Sequence, residues 1–95
     1  MSEKSWSVEF SKSALKSLRH LDQAVSLRIV DRLGELAEME NPLRHKDVRS
    51  LEGKLRGYHR FRIGEYRAVF ELDTEGGRIG VLAVIPRGKG YSGTG

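Results

Sequence analysis

The feature that most constrains the fold is a run of alternating apolar and charged residues, positions 55–70, interrupted once at Gly64-Glu65. Alternation with a period of two predicts strands with one buried face on either side of the interruption. A two-residue turn with glycine first, the type II′ pattern, suits the twist of the flanking strands. The sequence therefore predicts a β-hairpin at this position.

A two-residue loop also predicts the register of this hairpin. The expected pairs are Ile63 with Tyr66, Arg62 with Arg67, Phe61 with Ala68, and Arg60 with Val69. Paired residues share a face, so Arg60, Arg62 and Arg67 should converge on the face opposite Phe61. Because like charges directly opposite each other are destabilising, this cluster favours a role in binding an anion. The alternative, a solvated face whose arginines pair with carboxylates, remains open.

Length and composition predict one small domain, residues 1–95, in which residues 88–95 form a flexible tail. The 17 Lys and Arg residues outnumber the 13 Asp and Glu residues, which gives a net charge of +4 and a pI near 9.7. Such an excess is typical of proteins that bind nucleic acid or an acidic partner. No cysteine is present, and no histidines and carboxylates have metal-ligand spacing, so we expect neither a metal nor another cofactor. Without a long apolar run or a signal peptide, the expected location is cytoplasmic, with no membrane partner.

The rest of the chain predicts an α+β fold: an N-terminal strand, a two-helix hairpin and a three-stranded antiparallel meander. Residues 5–10 alternate and form the first strand, after which Ser11 can cap a short helix. Asp22 can cap a second helix that runs to about Met39, since Asn41-Pro42 would end it. A polar connection over residues 41–53 then leads to strands at residues 54–63, 66–73 and 78–86.

The last strand and the residues after it extend the basic cluster. Residues 79–85 are almost continuously apolar, which predicts a strand inside the sheet, buried on both faces. Simple pairing of the meander places Arg67 close to Val84 and brings Arg87 near the other arginines. Glycines flank Lys89 and would let the backbone approach a ligand, and Tyr91 could stack on a base. A basic tail without a ligand is the alternative for this segment.

These residues together resemble the RelE/ParE superfamily of bacterial and archaeal toxin–antitoxin toxins, on its RelE-like side. The resemblance is carried by residues 51–57, 60–67 and 84–91, and also by residues 10–18, so it covers nearly the whole chain. It implies a RelE-like fold, similar to small microbial ribonucleases, in which two helices pack on a small antiparallel sheet.

The resemblance also implies a function. RelE-like toxins of type II toxin–antitoxin systems are ribosome-dependent endoribonucleases that cleave mRNA in the ribosomal A site and so inhibit translation. The ribose 2′-oxygen attacks the adjacent phosphate, leaving a cyclic phosphate and a free 5′-hydroxyl. The implied partners are a RelB-like antitoxin, the ribosome and mRNA.

Site residues follow from the same motif positions. Arg67 and Arg87 match the arginines that stabilise charge at the scissile phosphate, and Tyr91 falls near a base-stacking tyrosine. Arg60 and Arg62 occupy positions where relatives carry basic residues, often lysines. The expected catalytic residues are thus Arg60, Arg62, Arg67 and Arg87, and the expected substrate-binding residues are Lys54, Lys89 and Tyr91.

The identity of the general base is left open, because arginine does not readily give up its proton. His59, Lys54 or Lys89 could take this role, although strand parity predicts that His59 faces the helices. Two other functions also remain open: a ParE-like inhibitor of DNA gyrase, which the basic strand cluster disfavours, and a catalytically inactive antitoxin-binding module.

Overall fold

The computed structural model describes residues 5–88, which form two α-helices and five β-strands. The helices are α1 (Lys12–Arg19) and α2 (Gln23–Ala37). The strands are β1 (Ser7–Phe10), β2 (Val48–Ser50), β3 (His59–Ile63), β4 (Tyr66–Asp73) and β5 (Arg78–Pro86). Within these residues no helix combines the length and apolar character needed to cross a membrane.

All five strands join one sheet in the order β1-β5-β4-β3-β2. The predicted antiparallel meander is present as β3, β4 and β5. Strand β1 extends the sheet by pairing in parallel with β5, and β2 pairs antiparallel with β3 at the other edge. The predicted α+β class is therefore confirmed, with a larger sheet than the meander alone.

The core lies between the helices and one face of this sheet. Its helix residues recur at helical spacing along α2 and include Ile29, Leu33 and Leu36, all fully buried. They pack with sheet residues that alternate along each strand, among them Phe61 and Phe70. This packing covers one face of the sheet and leaves the face with the arginines free of helices.

Ser11 joins the first helix to the sheet. Its hydroxyl accepts a hydrogen bond from the amide of Ala14 at 3.0 Å, as expected of an N-cap, and donates one to the carbonyl of Leu82 at 2.6 Å. Asp22 is the N-cap residue of α2, as predicted, but its side chain makes no capping hydrogen bond. The second helix ends at Ala37, two residues before the predicted Met39.

The first meander strand is shorter than predicted. Residues 53–55 form a 3-10 helix, and the strand begins only at His59. Gly53 and Gly57 have φ angles of +67° and +99°. These values are incompatible with an extended strand, so the strand cannot begin before residue 58. The connection predicted over residues 41–53 contains β2, in which Val48 pairs with Phe61 and is buried.

The hairpin register is as predicted, and the β4–β5 pairing contains a β-bulge that the sequence did not indicate. All four predicted β3–β4 pairs are present, and Gly64 has a φ of +58° in the turn. In β5, Val81 pairs with Phe70 but Ala83 pairs with Val69, so Leu82 is an extra residue in a β-bulge. Arg67 pairs with Ile85 and so lies close to Val84, as expected.

Candidate functional site

The four arginines predicted to be catalytic line one cavity of about 220 Å³, formed by Arg60, Arg62, Arg67 and Arg87. They come from β3, from β4 and from the residue that follows β5. Arg62 and Arg67 are a directly opposed pair, and Arg60 pairs with Val69 on the same face. Val69 and its β5 partner Ala83 are almost fully buried on this side. The cavity thus lies on the sheet face that the helices leave open.

The β-bulge accounts for the place of Arg87. Alternation along β5 puts every second residue on the same face, and the extra Leu82 reverses this order for the residues that follow. Ile85 therefore shares the face of its partner Arg67, and Arg87 follows two residues later. The amide of Arg87 donates a hydrogen bond to the carbonyl of Glu65 at 2.7 Å, which fixes the chain beside the hairpin turn.

A fifth arginine belongs to the cluster and was not predicted. Arg49 of β2 pairs directly with Arg60. It lines an adjoining cavity of about 60 Å³ together with Lys46, Asp47, Arg60 and Arg62. The three residues of β2 are too few to show a period of two, so only the pair Val48-Arg49, one apolar and one basic, could have indicated a strand.

These positive charges are close enough to affect one another. The pKa of Arg60 is lowered from its ordinary value, chiefly by burial and then by the charges of Arg67, Arg49 and Arg62. Within residues 5–88 the salt bridges are made by Arg32 and Arg78, and none joins a carboxylate to the four arginines of the cavity. Pairing of these arginines with Glu65 or Glu71, the alternative to an anion site, is therefore not observed in this part of the chain.

His59 lies on the other side of the sheet, as predicted from strand parity. Its ring packs against Phe70 with 5.4 Å between centroids, and its Nδ1 is 3.2 Å from the hydroxyl of Ser50. Burial lowers its pKa, so the neutral ring predominates at neutral pH. The structure does not bring His59 to the arginine cavity.

The remaining predicted residues are not at the cavity or cannot be placed there. Lys54 is exposed in the 3-10 helix before β3, outside the predicted strand, and does not line the arginine cavity. Lys89 and Tyr91 lie outside the described residues, as does the predicted tail apart from Gly88. Between residues 5 and 88 no three His, Cys, Asp or Glu side chains are grouped so as to hold a metal ion.

The cavity has the chemistry of an anion site. Guanidinium groups bind phosphate oxygens through two parallel hydrogen bonds and remain charged at neutral pH. Four such groups around one cavity can neutralise a phosphate and stabilise further negative charge on it. None of the four lining side chains is suited to accept a proton.

The helix pair, the five-stranded sheet and this basic face define a toxin of the RelE/ParE superfamily. Residues 8–91 match the family described as ParE toxin of type II toxin-antitoxin system, parDE, and the chain belongs to this family. A comparison with curated proteins found no match.

Solved structures of similar fold include toxins and toxin–antitoxin complexes. The toxin-antitoxin complex RelBE2 from Mycobacterium tuberculosis contains a chain 27% identical to this one, with a TM-score of 0.77 over 90% of this chain and 94% of that chain. In the archaeal RelE-RelB complex from Pyrococcus horikoshii OT3 the identity is 28% and the TM-score 0.72, covering 92% of this chain and all of that one. The isolated RelE toxin of E. coli, at 22% identity and a TM-score of 0.69 over 90% and 88% of the two chains, is similar in fold alone.

Proposed function

We propose that this protein is a ribosome-dependent endoribonuclease that cleaves mRNA in the A site and inhibits translation. The observation that carries the proposal is the cavity lined by Arg60, Arg62, Arg67 and Arg87. Maintaining like charges in register costs stability, and an RNA phosphate bound between them offsets that cost. The similarity to RelE-containing complexes at 27% and 28% identity supports the same function.

In the proposed reaction, the ribose 2′-oxygen attacks the adjacent phosphorus and the bond from phosphorus to the 5′-oxygen breaks. The products are a 2′,3′-cyclic phosphate and a free 5′-hydroxyl. Negative charge grows on the phosphate oxygens as the pentacovalent transition state forms, and Arg67 and Arg87 stabilise it from β4 and from the end of β5. Arg60 and Arg62 bind the same phosphate group or its neighbour.

Proton transfer is the step that these arginines do not provide. The 2′-hydroxyl must lose a proton and the 5′-oxygen must gain one, yet an arginine remains protonated at neutral pH. His59, one of the candidate bases, lies on the other face of the sheet. We propose that the ribosome compensates by holding the 2′-oxygen in line with the scissile bond, since orientation alone can supply a large part of a rate enhancement.

The proposed protein partner is a RelB-like antitoxin. The two more similar structures are complexes of a RelE-type toxin with its antitoxin. A basic cavity that binds RNA phosphates is also complementary to an acidic segment of a partner, so one bound antitoxin segment would exclude the substrate.

Induced expression in a bacterial host tests the proposal. Arg67→Ala and Arg87→Ala should each lower the rate of mRNA cleavage by about 10²-fold or more and relieve growth arrest, because each removes a donor to the developing charge. Arg19→Ala is the matched control, since Arg19 is an exposed arginine in the last turn of α1. Mapping of mRNA 5′ ends should give cuts in phase with codons for wild type and for this control.

The same experiment distinguishes the alternatives. The matched family is named for ParE, so a gyrase inhibitor is the second candidate, and DNA damage without mRNA cuts would support it. Growth without either effect, combined with tight binding of an antitoxin, would support an inactive binding module. Unchanged toxicity of both arginine variants would contradict a phosphate site at this cavity.

A further inference from the structure

One carboxylate lies at the edge of the basic cluster. Among the side chains that line the two adjoining cavities, Asp47 is the one acidic residue. Its carbonyl accepts a hydrogen bond from the amide of Arg62 at 3.0 Å, so its backbone is a direct neighbour of the arginines. An aspartate in this place could pair with Arg60 or Arg62 and compete with a phosphate for them.

The backbone of Asp47 is held on both sides. Its amide donates to Nδ1 of His45 at 2.9 Å, and the His45 ring packs edge-on against Phe61 with 4.9 Å between centroids. Because its carbonyl is also bonded to Arg62, the remaining freedom of Asp47 is in its side-chain torsions. The ion-pair partner of the Asp47 carboxylate therefore depends on which cations it can reach by rotation of its side chain.

In the structure that partner is Arg32 of α2 and not the cluster. Nη2 of Arg32 is 3.1 Å from Oδ2 of Asp47. Nη1 of Arg32 donates to Glu35 at 2.9 Å, and its guanidinium carbon lies 5.1 Å from the ring centroid of the buried Phe61. Contacts with Glu35 of α2 and Phe61 of β3 thus orient the Arg32 guanidinium towards Asp47, in the turn before β2.

We propose that Arg32 is a positioning residue of the phosphate site, which holds the Asp47 carboxylate away from Arg60 and Arg62. The inference rests on the proposed function, because the anion that benefits is an RNA phosphate. Arg32 itself touches no substrate in this scheme. It keeps the cluster available, since a released Asp47 would be an intramolecular competitor that no dilution removes.

Binding of an uncleavable RNA tests this role separately from catalysis. The probe is a single-stranded 2′-O-methyl RNA, which lacks the attacking hydroxyl, and its affinity for the purified protein is measured over a series of salt concentrations. Arg32→Met keeps an apolar stem over Phe61 but removes the partner of Asp47. It should weaken binding by about two- to fivefold, the contribution of one partly exposed ion pair. The slope of log affinity against log salt should fall by about 0.7, the value for one phosphate contact on a single strand.

Rescue decides between positioning and mere packing. Arg32→Met combined with Asp47→Asn should restore both the affinity and the salt slope, because the competing charge is gone. Arg32→Lys, which retains a cation for Asp47, should bind like wild type. Arg19→Met removes the same charge from α1 and should leave the slope unchanged.

Each other outcome contradicts the proposal. If the double variant binds as weakly as Arg32→Met, Arg32 acts through packing on Phe61. If Arg32→Met binds like wild type, Asp47 does not compete. Thermal unfolding of each variant is measured alongside. If Arg32→Met is unfolded, Arg32→Gln with and without Asp47→Asn provides the same comparison, in which the double variant should bind more tightly and equal affinities would contradict the proposal. A wild type that does not bind the free RNA contradicts the positioning role of Arg32 but not a nuclease that binds its substrate on the ribosome, whereas the expected binding without mRNA cleavage in cells contradicts the nuclease alone.

Discussion

Arg62 lies directly opposite Arg67 across β3 and β4, so two like charges occupy one register position at the centre of the basic face. Opposed like charges are destabilising in a sheet, and the pair is not relieved by a carboxylate anywhere in residues 5–88. The fold itself gains nothing from this arrangement. A negatively charged ligand, such as the phosphate of the proposed function, would offset this cost.

The first prediction separates folding from function at this pair. Arg62→Gln should raise the free energy of unfolding by about 0.5 kcal/mol, because the repulsion is removed and an exposed side chain is retained. The same variant should bind RNA more weakly. Urea denaturation measures the first effect, with Arg19→Gln as a control that should not be stabilised in this way. Loss of stability in Arg62→Gln would show that the guanidinium has a structural partner.

A second prediction concerns the shape of the charge at Arg67. Arg67→Lys keeps the positive charge and replaces a planar fork by a single ammonium group. If the arginine binds the scissile phosphate through two hydrogen bonds, cleavage should fall by about tenfold, the effect of roughly one lost hydrogen bond to a charged group. Single-turnover cleavage on isolated ribosomes measures this, and Arg56→Lys, at an exposed position before β3, is the control. Equal rates for wild type and Arg67→Lys would mean that charge alone is sufficient.

The sequence predicted the hairpin part of the site because local rules determine it. A two-residue turn and a period of two were enough to pair Arg62 with Arg67 and to put Arg60 on the same face. These rules refer only to neighbours along the chain and to one partner strand. The convergence of three of the cluster arginines therefore needed no knowledge of the tertiary structure.

The rest of the site depends on contacts between distant segments. The bulge at Leu82 is stabilised by the hydroxyl of Ser11, which lies 71 positions away in the sequence, so no local pattern indicates it. Without the bulge, alternation would have directed Arg87 away from the other arginines. Arg49 was missed for a related reason, since β2 is a strand only because it pairs with β3.

The double role of Ser11 gives a third prediction. Ser11→Ala removes the acceptor for the amide of Ala14 and the donor to the carbonyl of Leu82. The free energy of unfolding should fall by about 2 kcal/mol, the sum of a lost helix cap and one lost hydrogen bond. Ser13→Ala is the matched control, because Ser13 is exposed within α1 and alanine is the better helix former. A similar loss in both variants would contradict the capping role.

The fourth prediction is a pH dependence of stability that originates at His59. Burial lowers the pKa of His59 below its ordinary value of 6.5 in the folded state, so the unfolded chain takes up this proton first as the pH falls. Protonation of His59 therefore has no effect on stability well above pH 6.5. As the pH falls through that value towards the folded pKa, the free energy of unfolding decreases, and below the folded pKa the loss is complete.

His59→Gln should remove this contribution. Thermal unfolding between about pH 8 and pH 5, on either side of the ordinary histidine pKa, should show a smaller loss of stability for the variant than for wild type. A difference in stability between His59→Gln and wild type that stays constant at high pH would reflect lost packing on Phe70. It would not change the slope of stability against pH. If the slope for His59→Gln equals that of wild type, the charged ring of His59 is as stable in the folded protein as it is in water.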